Sequence, residues 1–216
     1  GQVTGGTGNC TYEIVNNSLP TGLELNASTQ TISGVVTARA DTYTISIRAK
    51  DTLSNATVVT NFTLTIEKAK VIIPSLIGTY TYNGNEQTAN IQNFDVNTMS
   101  ITNNTRKNAG TQTIIVSLRD NLNYTWSDGS TANRQFEFEI KQKQLTISAR
   151  NQVIKYEESI DTTLSSVSVV GLVANDKLQS ISILPSTTEI TNDGEITLRN
   201  AKIFNGTEDV TDNYQI

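Results

Sequence analysis

The sequence contains no histidine and only one cysteine in 216 residues. Without histidine, Ser-His-Asp triads, most zinc sites and imidazole acid–base catalysis are excluded. The single cysteine, Cys10, has no partner for an intrachain disulfide, and we expect it to be a small buried or loop residue. The chain therefore lacks the residues on which much of protein catalysis and crosslinking depends.

Positive charge and long apolar runs are also scarce. Sixteen Lys and Arg residues stand against 21 Asp and Glu residues, which gives a net charge of −5 and a pI of about 4.8. Nucleic-acid and membrane-surface binding need a dense basic patch, so neither partner is expected. No apolar run approaches the roughly 18 to 20 residues of a membrane span. Because no signal peptide or anchor is evident, we expect an excised piece of a longer protein.

The residues that are present favour an all-β chain. Hydrophobic residues make up 36% of the sequence and charged residues only 17%, and Thr, Ser and Asn dominate the remainder. This composition is typical of β modules whose outer strand faces carry hydroxyls and amides rather than charges.

One strand pattern occurs twice, as ADTYTISIRAKD over residues 40–51 and as AGTQTIIVSLRD over residues 109–120. The matching positions lie 69 residues apart, from Ala40 and Ala109 to Asp51 and Asp120. A small residue followed by β-branched residues and a closing basic–acidic pair predicts one recurring strand of a β-sandwich. The repeat predicts small domains rather than one large fold.

Two lysine-containing junctions mark the predicted domain boundaries. EKAK at 67–70 returns as IKQK at 140–143, with both lysine pairs 73 residues apart. We therefore predict three domains, at 1–68, 69–142 and 143–216, called below the first, second and third predicted domains. Junctions this short would hold neighbours end to end and make a semi-rigid rod.

The middle of the chain carries two strong turn signals. Asn83-Gly84 and Asp128-Gly129 predict hairpin turns, because both residues of each pair tolerate positive φ. Short strands are expected at 71–73 and 87–91 and at RQFEFEI, residues 134–140. We interpret this segment as a bacterial immunoglobulin-like domain.

The first predicted domain carries three signatures in order: GGTG-x-x-TYEI, SLPTGLELNASTQTISG and ADTYTISIRAKD. With these it resembles the immunoglobulin-like, or cadherin-like, module of bacterial surface proteins over residues 3–67. Such modules carry one more strand before the GGTG turn, so the resemblance implies that the first domain lacks an edge strand and leaves a pairing edge open.

The third predicted domain runs LTISA, KYEESI, VVGLVANDKL and NGTEDVTDNYQI. This order resembles the MBG-type repeat of bacterial cell-surface and filamentous proteins, although Tyr156-Glu157 stands in place of the usual YG pair. The resemblance implies a further strand after Asn213-Tyr214. We expect an immunoglobulin-like or β-grasp-like fold with a helical turn around 171–177 and strands at 145–149, 167–170, 178–184, 194–198 and 202–204.

The acidic residues are scattered over turns, and none forms an EF-hand loop. We expect Asp41, Asp51, Asp95, Asp120 and Asp128 to bind their own local backbone. The likeness to cadherin-like modules implies calcium as an alternative, with Glu13, Asp41 and Asp51 as the candidate ligands. No other cofactor is expected.

Four aromatic residues, Tyr80, Tyr82, Tyr124 and Trp126, are candidates for a sugar-binding platform. The alternative, which we favour for Trp126, is core packing, since one aromatic side chain buries a large apolar area.

The leading functional hypothesis is a non-enzymatic stalk segment of a bacterial cell-surface or secreted protein. Its partners would be other domains of the same protein, and it would lie outside the cell or at the cell wall. The alternatives are an adhesin module that binds a host glycan or protein, or accessory domains of a larger secreted hydrolase.

Overall fold

The computed structural model describes residues 5–7, 9–16, 18–173, 175–187 and 194–216. These residues form β-strands and two 3₁₀ turns, at Leu164–Ser166 and Thr211–Asn213, and no longer helix. The all-β prediction is confirmed. The strands form several sheets, as expected of immunoglobulin-like β-sandwich domains.

The first predicted domain contains an antiparallel sheet and a hairpin. Its described strands are β1 (Cys10–Val15), β2 (Leu23–Asn26), β3 (Thr31–Gly34), β4 (Thr42–Asp51) and β5 (Thr57–Thr65). The sheet order is β1-β4-β5, with the repeated strand β4 in the centre, and β2 pairs with β3. The repeated strand therefore organises this sheet.

Two glycines explain the SLPTGLELNASTQTISG signature. Gly22 and Gly34 both have positive φ, at 92° and 136°, where residues with a Cβ are strained. A Cβ on Gly22 would lie 1.9 Å from the Val35 carbonyl oxygen, and one on Gly34 would lie 2.0 Å from that of Gly22. The β2–β3 hairpin therefore closes only because both positions lack a side chain.

The second predicted domain contains ten described strands. They are β6 (Ala69–Val71), β7 (Ser75–Ile77), β8 (Tyr80–Thr81), β9 (Gln87–Thr88), β10 (Asn90–Gln92), β11 (Met99–Thr102), β12 (Thr105–Arg106), β13 (Gly110–Leu118), β14 (Tyr124–Trp126) and β15 (Arg134–Lys141). The main sheet has the order β11-β13-β15-β8, and the smaller pairs are β7–β10, β9–β12 and β6–β14. The second copy of the repeated strand, β13, again pairs antiparallel with the last strand of its region.

The hairpin prediction for Asn83-Gly84 and Asp128-Gly129 was wrong. Both glycines have positive φ, as expected of tight turns. However, β8 pairs in parallel with β15, β9 pairs with β12, and β14 pairs in parallel with β6. Each turn therefore joins strands that pair elsewhere, because partners distant in sequence outcompete the adjacent strand. The single strand predicted at 87–91 is likewise divided between β9 and β10.

The third predicted domain contains seven described strands. They are β16 (Lys143–Gln144), β17 (Thr146–Ala149), β18 (Val167–Val170), β19 (Lys177–Pro185), β20 (Ile196–Asn205), β21 (Glu208–Asp209) and β22 (Tyr214–Gln215). Strands β17 and β18 pair with each other, β19-β20-β21 form a sheet, and β16 pairs in parallel with β22. The strand predictions at 145–149, 167–170 and 178–184 are confirmed to within one residue at either end.

The two strands predicted at 194–198 and 202–204 form the single strand β20, so that prediction was wrong. Pairing with β19 continues through register shifts between Leu178 and Ser180 and between Ser180 and Ser182. Asn200 absorbs the irregularity with φ 56°, a conformation that Asn tolerates better than most residues. A β-bulge therefore replaces the predicted break.

The helical turn predicted around 171–177 is a single turn in the residues described there. The Asp176 N–H donates to the Val173 carbonyl at 3.0 Å, and β19 begins at Lys177. Residue 174 lies outside the described residues.

The described chain divides into two compact units, residues 1–73 with 118–131 and residues 74–117 with 132–216. Every sheet among the described residues joins strands of a single predicted domain. The boundaries after residues 68 and 142 stay a prediction. In the described ranges, no helix is long and apolar enough to cross a membrane.

Candidate functional site

The four candidate platform aromatics differ in their exposure. Trp126 has 0% and Tyr82 has 1% of its surface exposed, so neither ring presents a face to a ligand. Tyr124 and Tyr80 are half-buried. The favoured interpretation of Trp126 as a core residue is confirmed. Sugar binding by Tyr80 or Tyr124 stays a prediction.

Tyr80 is engaged on both its ring and its hydroxyl. Its ring packs edge to face with that of Phe138, at a centroid distance of 4.9 Å. Its hydroxyl donates to the Ile77 carbonyl at 3.1 Å and accepts from the Asn90 N–H at 2.7 Å. These contacts fix the ring against the main sheet of its region, in a role of packing.

The scattered aspartates bind local backbone, which confirms the turn prediction for four of them. Each accepts a hydrogen bond from the N–H two residues ahead, at 2.9 to 3.0 Å; they are Asp51, Asp95, Asp120 and Asp128. The carboxylate of Asp41 accepts from the N–H of Thr42 at 2.8 Å. The contacts of the first four aspartates, each to the N–H two residues ahead, have the geometry of Asx turns.

Asp51 is the most heavily hydrogen-bonded of these turn residues. It is 5% exposed, and its carboxylate accepts from the N–H groups of Ser54 and Leu53, both at 2.9 Å. Thr7, distant in sequence, donates both its N–H, at 2.6 Å, and its hydroxyl, at 2.8 Å. The N–H groups of Ser54 and Thr7 hold the pKa of Asp51 far below its ordinary range.

The described residues do not bring the candidate calcium ligands together into a cluster. The Glu13 carboxylate accepts from Arg48 Nη1 at 2.8 Å, directly across the β1–β4 pair. In the ranges that the structure describes, no three acidic, histidine or cysteine side chains lie together as metal ligands. Calcium binding by Glu13, Asp41 and Asp51 stays untested.

A buried carboxylate that sequence reasoning missed lies at Asp176, which is 4% exposed. Its Oδ2 accepts from the hydroxyls of Tyr82 at 2.9 Å and Tyr214 at 2.7 Å, and its Oδ1 accepts from the Asn205 amide at 2.7 Å. The two tyrosine rings pack edge to face at 5.5 Å. Asp176 follows the VVGLVAN run and precedes Lys177, so it reads as another turn acid, and no local signal marks its distant partners.

Burial and the neighbouring carboxylate both act on the two phenols of this cluster. Desolvation, reinforced by Asp176, raises the pKa of Tyr82 to about 12. The same causes raise the pKa of Tyr214 above its ordinary value. Both hydroxyls therefore remain protonated donors through the physiological range, which is the form that a buried carboxylate requires.

Two asparagines make corresponding hydrogen bonds to the two copies of the repeated strand. Asn123 Oδ1 accepts from the Ala40 N–H at 2.8 Å, and Asn213 Oδ1 accepts from the Ala109 N–H at 2.7 Å. Each asparagine precedes a tyrosine that begins a short parallel strand, β14 or β22. Asn213-Tyr214 belongs to the pattern by which the third predicted domain resembles the MBG-type repeat, but that pattern predicts no contact with Ala109.

An open cleft of about 720 Å³ lies beside Asn213. Its charged lining residues are Glu139, Lys141, Lys143 and Asp212, and Ala109 and the first residue of β13 also line it. The lining mixes two lysines with two acids, so the cleft does not favour ligands of one charge.

A family model with the description Putative Ig domain matches residues 1–67. No curated protein and no solved structure matches the chain. The match covers the first predicted domain and supports the immunoglobulin-like module that the three signatures indicate. It is consistent with a structural or adhesive segment.

Proposed function

We propose that this chain is a non-enzymatic structural segment of a bacterial cell-surface or secreted protein, which carries and presents other domains of that protein. The observation that carries the proposal is the shortness of the two junctions, around residues 67–70 and 140–143. Three residues separate β5 from β6, and one residue separates β15 from β16. Connections this short leave little freedom between successive sheets.

Side-chain hydrogen bonds reinforce both junctions. At the first, Lys68 Nζ donates to the Asn121 carbonyl at 2.7 Å. At the second, Gln142 Nε2 donates to the Asp212 carbonyl at 3.0 Å. A presenting segment benefits from such fixed joints, whereas an enzyme would need a site of converging reactive groups.

The polar surfaces of the strands also support this role. Outward positions carry Thr, Ser, Asn and Gln, as in β13, where the inward Ile114 and Val116 are fully buried and alternate with polar or half-buried residues. Such a strand presents hydroxyls and amides rather than charges on its outward face.

Small-angle X-ray scattering on the full chain tests the proposal. A stalk segment predicts an elongated particle with a pair-distance distribution that tails to long distances. A compact, spherical profile would contradict it. A parallel glycan array with the wild-type chain checks the adhesin alternative, and a specific glycan signal that disappears in Tyr124→Ala would favour that alternative over a passive stalk.

A further inference from the structure

The two junctions share more than their length, because the same set of contacts occurs in both. An asparagine carboxamide accepts the N–H of the small residue that opens the repeated strand, Ala40 or Ala109. The tyrosine after the asparagine lies opposite the first residue of its parallel partner strand. Tyr124 of β14 lies opposite Ala69 of β6, and Tyr214 of β22 lies opposite Lys143 of β16.

The residue before each of these parallel strands completes the set. Lys68 and Gln142 occupy this position, and each donates its side-chain N–H to a backbone carbonyl just ahead of the asparagine, at Asn121 or Asp212. A lysine and a glutamine make the same contact, because each offers a donor at the end of a flexible stem.

The physical need for these contacts arises at the start of the repeated strand. The N–H groups of Ala40 and Ala109 lie just before β4 and β13 and are part-buried, and a part-buried N–H without an acceptor is costly. An asparagine is short and offers a carbonyl acceptor together with an amide donor. It can therefore satisfy this N–H while its own amide is held in place.

The amide donor is held differently at the two sites. Asn123 Nδ2 donates to Asp120 Oδ2 at 2.7 Å, within its own turn. Asn213 Nδ2 donates to Asn108 Oδ1 at 3.1 Å, across the junction. Asn213 is 4% exposed and Asn123 is half-buried, so the second set of contacts is the more enclosed.

We propose that Asn123 and Asn213 are two copies of one coupling device, an asparagine clasp, which fastens the turn before β14 or β22 onto the start of the repeated strand in the preceding predicted domain. Each clasp joins two consecutive predicted domains. Removing the asparagine from one domain should therefore also reduce the protection of backbone amides in the other domain against hydrogen exchange. The grouping of residues 118–131 with residues 1–73 in one compact unit agrees with this role for Asn123.

The clasp deepens the proposed function. Only its role, to stiffen a stalk, rests on that function. It concerns energetic coupling, which amide hydrogen exchange measures, whereas scattering tests the stalk itself. An elongated particle whose domains are not coupled would contradict the clasp and support the stalk. A compact particle whose domains are coupled would support the clasp and contradict the stalk.

The experiment compares Asn213→Ala and Asn123→Ala with Asn97→Ala in the full chain. Asn97 is the matched control, because its amide also binds a turn aspartate, Asp95, at 3.0 Å, while the residue is exposed. We expect Asn213→Ala to speed exchange at Ala109 and also at Leu145, whose N–H binds the Gln215 carbonyl. The expected increase is on the order of tenfold for each hydrogen bond removed.

For Asn123→Ala we expect the corresponding increase at Ala40 and at Ala69, and Asn97→Ala should change none of these four amides. The proposal is overturned if the clasp variants change the exchange rates only of amides in their own turns, or by no more than Asn97→Ala does.

If Asn213→Ala fails to fold, Asn108→Ala removes the exposed side of the same contact and should raise the exchange rates of Ala109 and Leu145 by a smaller factor. Unchanged exchange in that variant would equally overturn the proposal.

Discussion

The two copies of the repeated strand build cores of different depth. Ile45 of β4 and Ile114 of β13 hold matching positions, and both have no exposed surface. Their partner strands differ, because Phe62 of β5, opposite Ile45, is 37% exposed. In β15, Phe136 lies opposite Ile114 and is half-buried, and the strand also buries Phe138 and Ile140 almost completely. The same strand pattern therefore leads to a shallow core in one region and a deep core in the other.

The difference follows from the place of the last strand in its sheet. In the described part of the first predicted domain, β5 is the outermost strand of the order β1-β4-β5. In the second, β15 lies between β13 and β8, and Tyr80 of β8 packs against Phe138. The side chains of a strand with neighbours on both sides pack against side chains of both, whereas an outermost strand has such contacts on one side only.

The largest test of this comparison truncates one phenylalanine in each last strand. Phe138→Ala should lower the free energy of unfolding of its transition by about 3 to 5 kcal/mol, because it empties a fully buried site. Phe62→Ala should cost about 1 to 2 kcal/mol, since part of its surface is already in water. Urea unfolding of the full chain measures both, and equal losses would break the comparison.

Alkaline pH tests the buried tyrosine cluster, to which the deeper region contributes Tyr82. The folded pKa of Tyr82 is raised from 10.0 to about 12, so folding favours the neutral phenol. Its contribution to stability is complete below pH 10.0 and is lost as the pH rises through the folded value near 12. Tyr82→Phe should cost about 1 kcal/mol at neutral pH and remove this contribution.

Thermal unfolding between pH 9 and pH 12 gives the readout for that substitution. The control is Tyr156→Phe, because Tyr156 is 77% exposed. We expect the control to keep the wild-type alkaline profile. The interpretation fails if Tyr82→Phe keeps that profile as well.

Acid pH tests the aspartates that close the two repeated strands. Hydrogen bonds lower the folded pKa of both Asp51 and Asp120 from 3.8, so each contribution is present above that value and is lost as the pH falls. Asp51→Asn and Asp120→Asn should each flatten the loss of stability below about pH 4. Melting temperatures between pH 2 and pH 7 measure it.

We expect the larger of the two effects at Asp51, because Thr7 adds two donors from outside the turn. Asp41→Asn provides the control, since Asp41 is exposed and its carboxylate accepts a bond only from the N–H of its neighbour Thr42 among the contacts described. An equal change in all three variants would show that the distant donors contribute nothing.

Calcium is expected to have no effect on stability. The melting temperature should be the same with millimolar calcium and with chelator. The oxygens of Asp51 already accept hydrogen bonds from Thr7, Leu53 and Ser54, and Glu13 is paired with Arg48. A shift of several degrees that is lost in Asp51→Asn would restore the calcium hypothesis.

Much of the local structure could be predicted from the sequence. The repeated strands were expected at 40–51 and 109–120 and occur as β4 and β13, because β-branched residues at alternate positions favour an extended chain with one buried face. The turn role of Asp51 and Asp120 follows from the short reach of an aspartate to its own backbone.

The pairing of strands could not be predicted in the same way. Asn83-Gly84 and Asp128-Gly129 favour hairpins locally, yet the strands beside them pair with β6, β12, β13 and β15. The Asp176 cluster was missed for a similar reason, since its donors come from residues 38 and 94 positions away in the chain.

The sequence by itself determined an all-β chain with a recurring strand and aspartate-closed turns, because alternation and turn chemistry act over a few residues. Only the tertiary structure decided which copy of that strand gains a deep core and which asparagines clasp it. Asn123 and Asn213 meet Ala40 and Ala109 across 83 and 104 positions of chain. Contacts at such separations depend on the arrangement of whole sheets, which no local pattern encodes.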